Sequence, residues 1–195
     1  LPFIGFHCGY SCARVAKRRG PDAALSPTLS RAEVADRMVS TIRALQTLTG
    51  KEMAIENMDY GPTGALEYVC EPAFIRRICA RASCGFIWDI AHALVSAAPL
   101  GVKESDYMQQ FINELGPFTR EVHINAPSGE IDAHLAATGR ELDWLGRLLG
   151  AGATPDAITV ERDWPENKSG LAIVKDLKNE LKAVVATMAG IRMKN

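Results

Sequence analysis

The sequence predicts an α/β protein, a (β/α) barrel in which parallel strands are each followed by a helix. Two observations predict it. Short apolar runs alternate strictly with runs of helical period along the whole chain, which is the pattern of a parallel sheet covered by helices. Polar residues that end the strands also recur at one spacing. Glu56, Asp89, His123 and Glu161 are separated by 33, 34 and 38 residues, each about one strand–helix repeat. Right-handed crossovers then bring all the strand C-termini to one face.

The elements follow in order. Leu1–Phe6 is short and apolar and runs into His7-Cys8-Gly9, a strand then a loop. Tyr10–Leu29 is rich in Gly, Pro and Arg and reads as irregular. Ser30-Arg31-Ala32-Glu33 is a capping box, in which the hydroxyl and the carboxylate each satisfy a free N–H at a helix start. The helix carries Val34, Met38, Ile42, Leu45 and Leu48 inward and stops at Gly50. Met53–Met58 is a strand ending in Glu56-Asn57. Pro72–Ser83 is a helix with Phe74, Ile75 and Ile78 inward and Cys79 in the core. Gly85–Ile90 is a strand ending in Asp89, and Glu104–Leu115 is a helix. Arg120–Asn125 is a strand carrying His123, followed by a loop after Pro127. Arg140–Leu149 is a helix closed by Gly150. Ala157–Glu161 is a strand, and Leu171–Met188 is the final helix. That makes five strand–helix units with no linker between them, hence a single domain over 1–195.

Composition narrows the function. The 195 residues suffice for a substantial core. A net charge of −1 disfavours a nucleic-acid partner, which usually calls for a basic face. The one dense basic cluster, Lys17-Arg18-Arg19, reads as a solvated loop edge. No apolar run is long enough to span a membrane. Five cysteines form no disulfide framework, so a reducing, cytoplasmic compartment is expected. Cys8-x3-Cys12 alone is a weak ligand signal.

The strand ends carry chemistry. His7, Glu56, Asp89, His123 and Glu161 would all point into one barrel mouth, because strand C-termini converge on the axis. His92 follows Asp89 by three residues. Asp132 and His134, two apart, share a face of an extended segment. The Pro127-Ser128-Gly129 turn lets this stretch fold back over the mouth. Each group alone has an ordinary structural explanation; a strand-end Asp often caps the next helix. All four histidines of the chain and four acids at one level need a counter-charge, which a cation supplies. Imidazole and carboxylate without thiolate suit Fe, Zn or Mn. Eight donors exceed one ion, so two or three ions bridged by carboxylates such as Glu56 or Glu161 are expected.

These segments resemble the multinuclear non-haem iron-dependent oxidase family of the xylose-isomerase-like TIM-barrel superfamily. The similar stretches are IENMDYG (Ile55–Gly61), GFIWDIAHALVSA (Gly85–Ala97), REVHINAPSGEIDAHLA (Arg120–Ala136) and ITVERDWP (Ile158–Pro165). The resemblance implies two or three Fe ions, O2, a peptide substrate modified at cysteine in ribosomal peptide maturation, and a peptide-presenting partner protein. It implies His7, Glu56, Asp89, His92, His123, Asp132, His134 and Glu161 as ligands. Asn57 and Asp163 would orient ligands or touch substrate. Asp89-x-x-His92 is more similar to the endonuclease IV type, a zinc phosphodiesterase of abasic DNA; the iron oxidases often carry Asn at His92. A sugar isomerase or epimerase, or a degenerate binding barrel, is a further alternative.

Both families have about eight units. By resemblance His7 ends the fourth strand, so the barrel is expected to be incomplete, lacking N-terminal units. Truncation is the expectation; closure by another subunit, as a homo-oligomer, is the alternative.

Overall fold

The computed structural model describes residues 2–17 and 22–192. Leu1, Arg18 and Arg19 lie outside the described residues. Strand β1 (Phe3–His7) opens the chain. Val15–Ala16 (β2) and Ala23–Ala24 (β3) form a short antiparallel ladder. Helix α1 (Arg31–Thr49) leads to β4 (Glu52–Glu56), and α2 (Pro72–Ala82) to β5 (Gly85–Asp89). Two helices follow β5: α3 (Ile90–Ala97) and α4 (Glu104–Leu115). Strand β6 (Thr119–Ile124) precedes a hairpin of β7 (Ala126–Ser128) and β8 (Ile131–Leu135). Helix α5 (Gly139–Gly150), β9 (Ala157–Val160) and α6 (Gly170–Arg192) complete the order.

Five strands form one parallel sheet in the order β1-β4-β5-β6-β9, half of a barrel wall. Register is staggered, as barrel curvature requires. His7 is level with Glu56, but Glu56 is level with Ile87, so Asp89 stands two residues further along. Asp89 is level with His123, and His123 with Thr159, so Glu161 again stands two further along.

The outer face packs on helices: Met53, Ile55, Phe86, Trp88, Val122 and Ile124 are buried there. Trp88 stacks on Phe111 of α4 at 5.7 Å between ring centroids. Phe3, Ala54 and Ile87 form a separate small cluster on the inner face. A bulge sets the inner face of β6: Phe86 pairs with Thr119 and Ile87 with Glu121, skipping Arg120. Arg120 turns to Glu52 at 2.9 Å. Gly85 leaves room for this, since a Cβ there would stand 2.4 Å from Arg120 Cγ.

Several expectations need correction. The 10–29 segment is not wholly irregular, because β2 and β3 pair within it. Pro127 and Ser128 lie in β7 and the turn is Gly129-Glu130, so the expected loop is an antiparallel hairpin. Leu48 is 81% exposed; α1 buries Val34, Ala35, Met38, Val39 and Ile42 and runs past the core at its end. Helix α5 includes Gly150 and is capped at Ala151. The Ser30–Glu33 capping box forms as expected, and a second one, Thr138–Glu141, starts α5. Among the described residues, no helix is long and apolar enough to cross a membrane.

Candidate metal centre

The sheet delivers its donors at the C-terminal strand ends. His7, Glu56 and Asp89 are the last residues of β1, β4 and β5; His123 is next to last in β6, and Glu161 directly follows β9. Asp89 also caps α3, its Oδ1 accepting the His92 backbone N–H at 2.7 Å. The ordinary structural role of a strand-end Asp, capping the next helix, is thus present at the residue expected as a ligand. The first turn of α3 swings His92 back over Glu56. The β7–β8 hairpin folds over the mouth and brings in Asp132 and His134.

The eight side chains form one connected group. Glu56 Oε1 lies 3.4 Å from His7 Nε2 and 3.5 Å from both His92 Nδ1 and His123 Nδ1. His92 Nε2 reaches Asp132 Oδ2 at 3.2 Å, and Asp132 Oδ2 reaches His134 Nε2 at 2.9 Å. Glu161 closes a ring, with Oε2 3.7 Å from His134 and Oε1 3.3 Å from His123 Nδ1. Carboxylates and imidazoles thus alternate around Glu56, His92, Asp132, His134, Glu161 and His123. Asp89 lies 4.0 Å from His92 and from His123.

Burial and mutual charge set the protonation. Burial works against a charged His123, but Glu56, with Glu161 and Asp89, pushes the ring up to about 9. Burial would raise Glu56, yet His123 and His7 hold it down at about 2. Burial dominates at Asp89, lifting it to about 6 against the pull of His92. His92 resists its own burial and is raised by Asp89, Asp132 and Glu56. Without a cation, protons serve as the counter-charge of the group.

The donors fit a metal. Glu56, Asp89 and His123 each offer a ligand atom, all within 4.8 Å of one another, which makes this a possible metal site. His123 Nδ1 and Asp132 Oδ1 are buried without a hydrogen-bond partner, the situation a bound cation relieves.

The supporting residues are specific. The Asn57 side chain accepts from the Asp89 N–H at 2.9 Å and donates to the Asp89 carbonyl at 3.0 Å. The Asn57 carbonyl stands 2.8 Å from His92 Nδ1; a carbonyl only accepts, so that nitrogen carries the proton and Nε2 is left to the centre. Asn57 is fully buried, and its hydrogen bonds go to Asp89 and His92. His134 sits at φ 43°, in the left-handed region. Its carbonyl is held by the Asp163 N–H and by Arg162, each at 3.0 Å. Arg162 is braced by Glu180 of α6 at 3.1 Å. The Asp163 carboxylate is exposed and lies 3.7 Å from His134 Nδ1.

Three residues escaped the sequence reading. Buried Asn125 donates to Asp89 Oδ2 at 3.3 Å. Glu121 faces His123, which alternation along β6 could have indicated. Arg162 stands in the ITVERDWP stretch that carries the resemblance, but the linear pattern did not tie it to the hairpin it holds. Cys8 and Cys12 lie in the hydrophobic core, and Cys12 Sγ donates to the Arg14 carbonyl. A cavity of about 550 Å³ opens beside the cluster, lined by His7, Tyr10, Met58, Leu66, Ile131 and Asp132 among others. Lys17 at its rim is paired with Asp22 at 2.7 Å.

A parallel, staggered half-barrel with its polar residues gathered at the C-terminal strand ends has the fold seen in xylose-isomerase-like TIM barrels. Solved structures that share the fold include two of this kind. One is a candidate xylose isomerase from Rhodospirillum rubrum, 20% identical, with a TM-score of 0.59 over 80% of this chain and 53% of that one. The other is a D-tagatose 3-epimerase-like protein, 19% identical, with a TM-score of 0.61 over 94% of this chain and 63% of that one. The chain thus spans between half and two thirds of their length. The family described as RiPP precursor modification enzyme MbnB/TglH/ChrH matches residues 7–188. The chain belongs to that family.

Proposed function

We propose that this protein is a multinuclear non-haem iron-dependent oxidase that modifies a peptide, at a cysteine, during maturation of a ribosomally made precursor. The observation that carries this reading is the closed alternation of imidazole and carboxylate, from Glu56 through His92, Asp132, His134 and Glu161 to His123. It contains no thiolate, which suits iron better than a structural zinc. Eight ligands, His7, Glu56, Asp89, His92, His123, Asp132, His134 and Glu161, suffice for two or three ions. Glu56 and Glu161 each lie between imidazoles and would be the carboxylates shared if more than one ion is held. Zn or Mn fits the same donors. Iron held there supplies redox chemistry toward O2 and Lewis acidity toward a substrate thiolate.

The chain's own residues do the rest. Asn57 and Asn125 fix Asp89, and the Asn57 carbonyl fixes the His92 ring. Arg162 and the Asp163 N–H hold His134 against its unfavourable backbone. Met58, Leu66 and Ile131 give the adjacent cavity apolar walls for a peptide segment. A peptide-presenting partner protein completes the reading.

One observation favours a second reading. Asp89-x-x-His92, with His92 drawn into the ring, suits a zinc phosphodiesterase of the endonuclease IV type. Its net charge of −1 weighs against a nucleic-acid substrate.

The test takes its substrate from a search of the neighbouring genes for a short cysteine-containing precursor peptide, with a recognition-protein gene as the source of the partner. Iron-loaded protein, its partner and O2 are expected to change the peptide mass at cysteine, with no change under anaerobic conditions. An O2-independent reaction, or cleavage of abasic DNA by the zinc form, would contradict it.

A further inference from the structure

One layer below the centre, β6 and β9 carry an inward pair that the proposed ligand set does not use. Glu121 precedes His123 by two residues, so the two side chains share the inner face of β6. Glu121 is only 7% exposed. Glu121 Oε1 accepts a hydrogen bond from the Thr159 hydroxyl and lies 3.5 Å from His123 Nε2. For the other carboxylates around this ring, Glu56, Asp89 and Glu161, the near nitrogen is Nδ1. Nδ1 is also the buried atom without a hydrogen bond. The two ring nitrogens therefore face two distinct environments, the centre and a buried acceptor.

We propose that Glu121 is a positioning residue of the metal centre: anchored by Thr159, its carboxylate accepts a hydrogen bond from His123 Nε2–H and so commits Nδ1 to the metal. The inference rests on the metal-binding reading above. A cation at Nδ1 uses that nitrogen's lone pair, so the ring's one remaining proton sits on Nε2, where Glu121 accepts its hydrogen bond. Such outer partners fix the tautomer and the orientation of a ligating imidazole. His92 shows the same device with the nitrogens exchanged, since the Asn57 carbonyl accepts a hydrogen bond from Nδ1–H and leaves Nε2 to the centre. Burying a carboxylate under a barrel mouth is costly unless it is hydrogen-bonded. Thr159 and His123 meet that need.

The test is histidine 15N NMR on the full chain loaded with Zn(II), with competition against a chelating dye for affinity. His123→Ala assigns the resonance. The wild type is expected to show His123 bound through Nδ1 and protonated at Nε2. Glu121→Ala is expected to weaken zinc binding by about 10–100-fold and to lose the single Nε2-protonated tautomer. Glu121→Gln keeps an acceptor for Nε2–H and is expected to retain Nδ1 binding. Zinc bound through Nε2 in the wild type would overturn the proposal, whether or not any variant folds. So would a folded Glu121→Ala protein with unchanged affinity and tautomer, which would make Glu121–Thr159 a structural pair only. Failure of the wild type to bind zinc would overturn the metal-binding reading and this inference with it.

Discussion

The side-chain amide of Asn57 grips the backbone of Asp89 with two hydrogen bonds, one accepted and one donated, at 2.9 and 3.0 Å. This clamp joins the segment after β4 to the end of β5, where two of the proposed ligands sit. Both partners are fully buried, so neither can turn to water instead. Asn57→Ala leaves an N–H and a carbonyl of Asp89 without these partners. A loss of about 2–4 kcal/mol is expected, read from urea unfolding. A loss below about 0.5 kcal/mol, small beside one buried unsatisfied group, would show that the clamp contributes little.

The inner face depends on a missing side chain at Gly85. An added Cβ would stand 2.4 Å from Arg120 Cγ and 3.2 Å from Glu52 Oε1. Arg120 cannot retreat without breaking its contact with Glu52. Gly85→Ala is expected to cost about 1–3 kcal/mol through overpacking. An unchanged denaturation midpoint would mean that the bulge in β6 yields freely.

The metal-free chain has a defined pH response. His123 is raised from 6.5 to about 9 because Glu56 and its neighbours outweigh burial. Its folded value exceeds its unfolded one, so its stabilisation is complete below pH 6.5 and is lost as pH rises through about 9. His92 and His7 are raised as well. Glu56, held at about 2, contributes throughout that window and loses its contribution only as pH falls from 4.5 toward 2. Burial lifts Asp89 from 3.8 to about 6, and the resulting cost has developed before the window opens. The melting temperature of metal-free protein is therefore expected to fall between pH 6.5 and 9. A level or rising profile would contradict the ion-pair description of the metal-free cluster.

Legibility in the sequence followed physical signal. Glu56, Asp89, His123 and Glu161 were readable because each strand–helix unit places one residue at the same end of the sheet. Helix α3 was not readable: all eight residues from Ile90 to Ala97 are buried, so it has no polar face to give a helical period. The β7–β8 hairpin was hidden by its short, Pro-containing first strand and by a turn at Gly129-Glu130. Leu48 matched the helical period but lies beyond the end of the core. Glu121 was available by period-two alternation from His123, while the braces from Asn125 and Arg162 depend on chain crossings that a linear pattern does not carry.

The central claim is that these imidazoles and carboxylates exist to hold metal, and the most direct measurement is metal content per chain. Protein purified without air is expected to carry two or more irons per chain by elemental analysis. His123→Ala combined with His134→Ala, which opens the ring on both sides of Glu161, is expected to lose most of them. Less than one metal per chain in the wild type, or unchanged content in the double variant, would contradict the claim.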